Sequence, residues 1–291
     1  MIASARHAPF ETAHAVVPLV YLVGELACSM LALEPVCAAI SLAGAIAASL
    51  ALRGSKATAR SLRQLLPWLL LVCLLNPAFS TRGSTVLAWV WNHPIYLESL
   101  AYGACMGTML AAVFLWVGVG GRMLAPDRLM TLSGRTLPTI TVMASMTARL
   151  IPQLLRRGRL MRSCELACSG TVPTSMRARV AAGARRTTTL MAWSLEDSVV
   201  CADVMRARGW ESGALRTSWQ PTRFGRRDLA AVACLAALVT LALLTTCTRM
   251  MGFSFYPMMG TLGPWWSYLP ATLLAGLPTA LDLGGRIRWS R

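Results

Sequence analysis

Of 291 residues, 55% are hydrophobic and only 14% are charged, against roughly 25% charged in soluble domains. With a mean hydropathy of +0.54, this excludes an ordinary soluble globular chain and assigns most of the sequence to lipid. The formal net charge of +16 raises nucleic acid as a partner, but no basic run is interleaved with aromatics of the kind that stack bases, so none is expected.

A spanning helix needs about 20 largely apolar residues, and six segments meet or approach that: 13–33, 35–52, 65–79, 96–119, 229–247 and 265–283. Glu34-Pro35 makes a tight turn between the first two, and Asn76-Pro77 closes the third. No short apolar core with a small-residue cleavage site opens the chain, so no cleaved signal peptide is expected. The charges orient the spans. Arg53, Lys56, Arg60 and Arg63 separate the second from the third, and eighteen arginines from Arg122 to Arg227 separate the fourth from the fifth. Arg286, Arg288 and Arg291 follow the sixth, whereas the opposite loops carry only Arg82 and Arg249. Positive charge collects on the cytoplasmic side, so both termini are predicted to be cytoplasmic. The expected organisation is an all-α, polytopic membrane bundle of about six spans. Residues 1–121 hold spans one to four, 122–227 form a cytoplasmic region, and 228–291 hold spans five and six and a tail.

The basic stretch reads as two long amphipathic helices. Pro126 and Pro138 suit early helix positions. Met143, Met146, Leu150, Leu154, Met161 and Cys164 then recur at mainly three- and four-residue steps. Gly170 and Pro173 break the pattern, and a second helix is predicted from about Thr174 to Arg208, with Leu190, Trp193, Val200 and Val204 on its apolar stripe. Gly209 suits the left-handed residue that ends a helix.

Several residues invite a functional reading beside a plainer one. Arg206 and Arg208 either favour the helix dipole, worth about 0.3–1 kcal/mol, or reach into an acidic groove on a partner through forked hydrogen bonds. Glu25, in the middle of the first span, is either a coupling group or a protonated, helix-packing residue. Gly103 and Gly107 permit close helix contact. Nine cysteines are scattered without a CxxC pair. Cys164 and Cys168 share a helix face but have no histidine to complete a metal set, so no metal or cofactor is expected. Lys56 is the only lysine and lies in no phosphate-binding loop. If transport here uses ATP, the ATPase is another chain.

Leu75-Asn76-Pro77-Ala78-Phe79 with Arg82-Gly83, Asn92-His93-Pro94 with Leu97-Glu98, and Tyr102-Gly103 form one series of short motifs. Arg149-Leu150-Ile151-Pro152 and Ser194-Leu195-Glu196-Asp197 lead on to Met205-Arg206-Ala207-Arg208-Gly209, followed by Arg216-Thr217-Ser218 and Arg223-Phe224 through Arg226-Arg227-Asp228. In their order and spacing, from about 62 to 228, they resemble the transmembrane T component of energy-coupling factor (ECF) transporters, the EcfT/CbiQ family. The resemblance implies a helical membrane scaffold without chemistry of its own, in a bacterial cytoplasmic membrane. Two long coupling helices would each end in a short Ala-Arg-Gly type motif that docks one of two ABC-type ATPase subunits. The second motif falls on Ala207, Arg208 and Gly209, with Arg206 beside it. The first falls on Ala167, Cys168, Ser169 and Gly170, where the arginine is absent, implying a weaker contact or one through Arg162 or Glu165. The apolar faces of these helices, with Met143, Met146, Leu150, Leu154, Leu190 and Trp193, would hold a membrane-embedded substrate-binding S component. The cargo would be a vitamin, another micronutrient or a metal ion. Two other classes compete: a self-contained secondary transporter or channel using Glu25, and a membrane enzyme acting on lipid, for which no nucleophile or metal cluster stands out.

Overall fold

The computed structural model describes residues 14–79, 84–90, 93–124, 130, 132, 137–170, 175–210, 212–213, 224–255, 260 and 263–289. Helices α1 (Val16–Leu31), α2 (Pro35–Arg53), α3 (Ser55–Phe79), α4 (Leu97–Met123), α5 (Pro138–Ser169), α6 (Met176–Ala207), α7 (Arg226–Gly252) and α8 (Leu269–Trp289) account for nearly all of it. A short 3-10 turn, Trp265–Tyr268, precedes α8. Arg82, Gly83, Asn92, Pro126, Pro173 and residues 214–223, all part of the expected pattern, lie outside the described residues.

The all-helical class is as expected, with one short ribbon beside the helices. Strands β1 (Val86–Val90) and β2 (His93–Tyr96) pair antiparallel before α4, with Val86 opposite Tyr96 and Val90 opposite His93. The β-branched and aromatic residues of Val86-Leu87-Ala88-Trp89-Val90 favour an extended pairing over a bare loop.

Among the described residues, four helices are long and apolar enough to cross a membrane: α2, α3, α4 and α7. Several such helices make this a membrane-embedded protein, but six spans are more than length and composition support. Helix α1 has 16 residues, short of the roughly 20 a bilayer asks for. The last helix contains Pro278 and the buried Asp282, which dilute its apolar run. Helix α3 begins ten residues earlier than expected, at Ser55, because the polar turn Ser55-Lys56-Ala57-Thr58 continues the helix below its apolar part.

The chain divides into two compact units, one of residues 1–132 with 222–291 and one of residues 133–221. The first unit is a bundle in which α4 packs on α1, α2 and α3, α7 on α1, and α8 on α2. Val17, Tyr21, Leu52, Leu115, Trp116, Val119, Leu235, Val239 and Leu274 fill its core. Small residues set the approach distances. A Cβ on Gly24 would fall 2.4 Å from Val239 Cγ2, one on Gly44 2.6 Å from Ala275 Cβ, and one on Gly107 3.1 Å from the Leu69 carbonyl oxygen. In lipid, where apolar burial alone does not drive association, close backbone packing of this kind holds helices together. Polar links add to it: Tyr21 donates to the Leu274 carbonyl at 3.1 Å, and Asn76 donates to that of Ser99 at 2.8 Å. Outside these seams Leu66, Trp68, Leu70, Leu74, Phe79, Phe114 and Leu244 project outward, an apolar surface suited to lipid.

Glu98 explains how the ribbon meets α4. Its carboxylate accepts from Ser84 Oγ at 2.9 Å, Thr85 Oγ1 at 2.6 Å and the Thr85 backbone N–H at 3.2 Å. An acidic residue in the first turn also complements the helix dipole.

The second unit consists chiefly of α5 and α6, each of 32 residues and so about 48 Å long at 1.5 Å per residue. They run antiparallel, since Glu165 meets Arg185 and Arg186, Gly158 meets Leu190, and Arg157 meets Asp197.

Candidate functional site

Both long helices end on a glycine of positive φ. Gly170 has φ 63° and donates its N–H to the Leu166 carbonyl at 3.0 Å. Gly209 has φ 83°; its N–H reaches the Arg206 carbonyl at 2.9 Å and that of Trp210 reaches Met205 at 3.0 Å. This pair of bonds is the Schellman arrangement, in which a left-handed residue satisfies the last orphan carbonyls. A residue with a side chain resists that conformation, which is why glycine stands there. Helix α6 begins as sharply: Ser175 Oγ accepts from the Ala178 N–H at 3.2 Å, an N-cap.

The two ends therefore share a backbone design and differ in charge. Arg206, Ala207, Arg208 and Gly209 are all exposed, so two guanidinium groups stand at the α6 terminus. At the α5 terminus the matching places are taken by Ala167, Cys168 and Ser169, with Ala167, Cys168 and Gly170 exposed. Of the residues named as substitutes, Arg162 is exposed, whereas Glu165 is engaged by Arg186 at 3.1 Å and Arg185 at 3.7 Å. Glu165 thus serves the α5–α6 contact and is less available to a partner than Arg162.

The apolar residues of this unit are not gathered into a core. Met143, Met146 and Trp193 are exposed, and Leu150, Leu154 and Leu190 are half-buried. Leu190 packs where a Cβ on Gly158 would meet it at 3.4 Å, and Trp193 lies 5.8 Å beneath the Arg157 guanidinium. Met143 and Met146 sit about three to four turns ahead of that meeting region. Ile140, Ile151, Leu155, Val180, Met191, Leu195 and Val199 are also exposed. Among the described residues of this unit only Ala182 is fully buried. Along α5, Arg149, Gln153, Arg156 and Arg157 line an open basic groove of about 360 Å³ beside Pro152.

One polar cluster in the first unit was missed from the sequence. The sequence places Arg249 in a loop between spans. It lies instead inside α7, 9% exposed. Its Nη1 donates to Glu34 Oε2 at 3.3 Å and to Cys37 Sγ at 2.9 Å, its Nε donates to the Thr245 carbonyl at 2.9 Å, and its guanidinium stacks 4.3 Å over the Tyr268 ring. Tyr268 in turn donates to Glu34 Oε1. The helix continues past Cys247 because Arg249 finds its carboxylate inside the bundle. The buried Glu34 of the expected turn was the available signal: a carboxylate beside an apolar span asks for a cation.

Among the described residues no three of His, Cys, Asp and Glu lie together as a metal set, and all nine cysteines are free. No protein-family model matches the chain, and no curated protein matches it.

Proposed function

We propose that the chain is the transmembrane scaffold of an ECF-type ABC importer. The observation that carries this reading is the second unit: two 32-residue antiparallel helices whose glycine-capped ends are exposed, one presenting Arg206 and Arg208. A helix end of this kind offers fixed geometry and two cations, the requirements for gripping a carboxylate-lined groove on a motor subunit. The exposed apolar residues around Met143, Met146 and Trp193 supply surface for a second, membrane-embedded partner. In this reading two cytoplasmic ATPases close on ATP, the closure moves α5 and α6, and the S component reorients and releases its cargo inward. The scaffold performs no chemistry. The basic residues 122–227 then face the cytoplasm of a bacterial cell, as do both termini.

Glu25 favours the competing secondary transporter, since it is buried with one carboxyl oxygen unpartnered. That reading leaves the paired 32-residue helices without a task. Purification of the tagged full chain in mild detergent separates the two. The scaffold reading expects two ABC-type ATPases and a small membrane protein in the complex, and no transport by the chain alone in proteoliposomes. Ion-driven transport by the isolated chain would overturn it.

A further inference from the structure

A polar site lies inside the first unit, on helices that carry neither glycine-capped motif. Glu25 is 2% exposed, and its Oε2 has no hydrogen-bond partner. Beside it is a small void of about 10 Å³ whose polar lining comes from Glu25, Cys28 and Ser29 of α1, Cys37 and Ser41 of α2, and Thr246 of α7. That volume admits one water molecule and nothing larger.

An ionised carboxylate in such a place needs a counter-charge, because burying an unpaired charge is prohibitive. Tyr21 and Cys28 on α1 are close enough to interact with it, Cys37 on α2 and Cys247 on α7 face Cys28, and Arg249 on α7 faces Cys37; α4 contributes Trp116 and α8 contributes Ala271. The single cation among them, Arg249, is already matched to Glu34. No counter-charge is left beside Glu25, so its burial is met only if it carries its proton.

Ser29 Oγ and Ser41 Oγ are 2.6 Å apart, and Trp116 Nε1 donates to Ser41 Oγ at 3.2 Å. Two hydroxyls bring two protons. One closes the Ser29–Ser41 bond, and the other is left at the edge of the void, as is the open oxygen of Glu25. A water in the void accepts the spare hydroxyl proton and bonds Glu25 Oε2, satisfying both. Buried polar groups are rarely left unpaired, and ordered water is a common remedy.

We propose that this void is a binding site for one water molecule and one proton, the water bridging the Ser29–Ser41 pair to a neutral Glu25. The rival occupant is a sodium ion held by an ionised Glu25 and the same hydroxyls. Infrared difference spectra of the purified full chain in lipid nanodiscs, wild type against Glu25→Gln, distinguish them. The expected result is a carboxylic-acid carbonyl band at neutral pH that shifts in D2O, vanishes in Glu25→Gln and is unaffected by sodium chloride. Absence of the acid band, or its replacement by a carboxylate band on adding sodium, would overturn the proposal. Should Glu25→Gln fail to fold, Ser29→Ala carries the test. Loss of the bridge moves the acid band to higher frequency, and an unmoved band counts against the water.

Discussion

Gly103 and Gly107 offer a test of how the bundle is held together. A Cβ at position 103 would stand 3.0 Å from the Cys73 carbonyl oxygen and 3.0 Å from Asn76 Cβ, and one at position 107 would stand 3.1 Å from the Leu69 carbonyl oxygen. Backbone atoms are the obstacle in both cases, so no rotamer relieves it and α3 must retreat from α4 by a few tenths of an ångström. Overpacking of this kind costs about 1–3 kcal/mol, and replacing glycine recovers about 0.4–1 kcal/mol by restricting the unfolded chain. Gly103→Ala is then worth a net loss of about 1–2 kcal/mol, and Gly103→Val more. At roughly 2–4 °C per kcal/mol for a chain of this size, the alanine variant should melt about 2–8 °C lower. Gly121, on the same helix with nothing within 4 Å of its Cβ position, is the control; Gly121→Ala should melt at or above wild type. The buried thiols of Cys28, Cys37 and Cys105 report unfolding in detergent through a thiol-reactive dye. If Gly103→Ala and Gly121→Ala melt together, the close α3–α4 seam is not what holds these helices.

Arg208→Glu should leave the exposed end of α6 folded and weaken ATPase association by more than about 30-fold, the equivalent of the 2–5 kcal/mol lost with one partner of a buried charge pair; ATPase recovered per purified chain reads it, and undiminished recovery refutes the anchor. Arg249→Met strands Glu34 and should cost about 3–5 kcal/mol, while the double variant Glu34→Gln with Arg249→Met should regain most of the loss in the same melting assay. Glu165→Gln removes the contacts to Arg185 and Arg186, which are partly exposed, so the loss should stay near or below about 1 kcal/mol and shrink with salt; a double-mutant cycle with Arg186→Ala measures the coupling.

Local rules carried the reading where one element decided the outcome. Gly209 was legible because a helix end that needs a left-handed residue selects glycine, and Gly170, read only as a break, has positive φ as well. Gly103 and Gly107 were legible as a contact seam for the same kind of reason, one residue type with one steric use. Pairings that join distant segments were not legible. Arg249 and Glu34 are 215 positions apart, and neither shows from its own neighbourhood which cation belongs to which carboxylate. The span count met a related limit: hydropathy alone ranked α1 with the longer helices, although it stops at 16 residues. A search for apolar stretches of about 20 residues passes over strands of five and four residues, which is why the ribbon Val86–Val90 with His93–Tyr96 was not legible.

The two units use small residues in opposite ways, and the difference bears on what each is for. In the first unit, Gly24 against Val239, Gly44 against Ala275, Gly103 against Cys73 and Gly120 against Leu22 bring four pairs of elements so close that no added carbon fits without movement. In the second, α5 and α6 meet at Gly158 with a looser 3.4 Å approach, and their links among the described residues include the ion pairs of Glu165 and Asp197 and the Arg157–Trp193 stack. A pair of 32-residue helices with one buried alanine gains little from its own packing. Its exposed Met143, Ile151, Met191, Trp193 and Leu195 are surface that a free-standing helical hairpin would bury or replace. Partners that cover this surface would stabilise α5 and α6 by mass action, so a scaffold of this design would be rigid in the bundle at all times and rigid in the helix pair only once assembled.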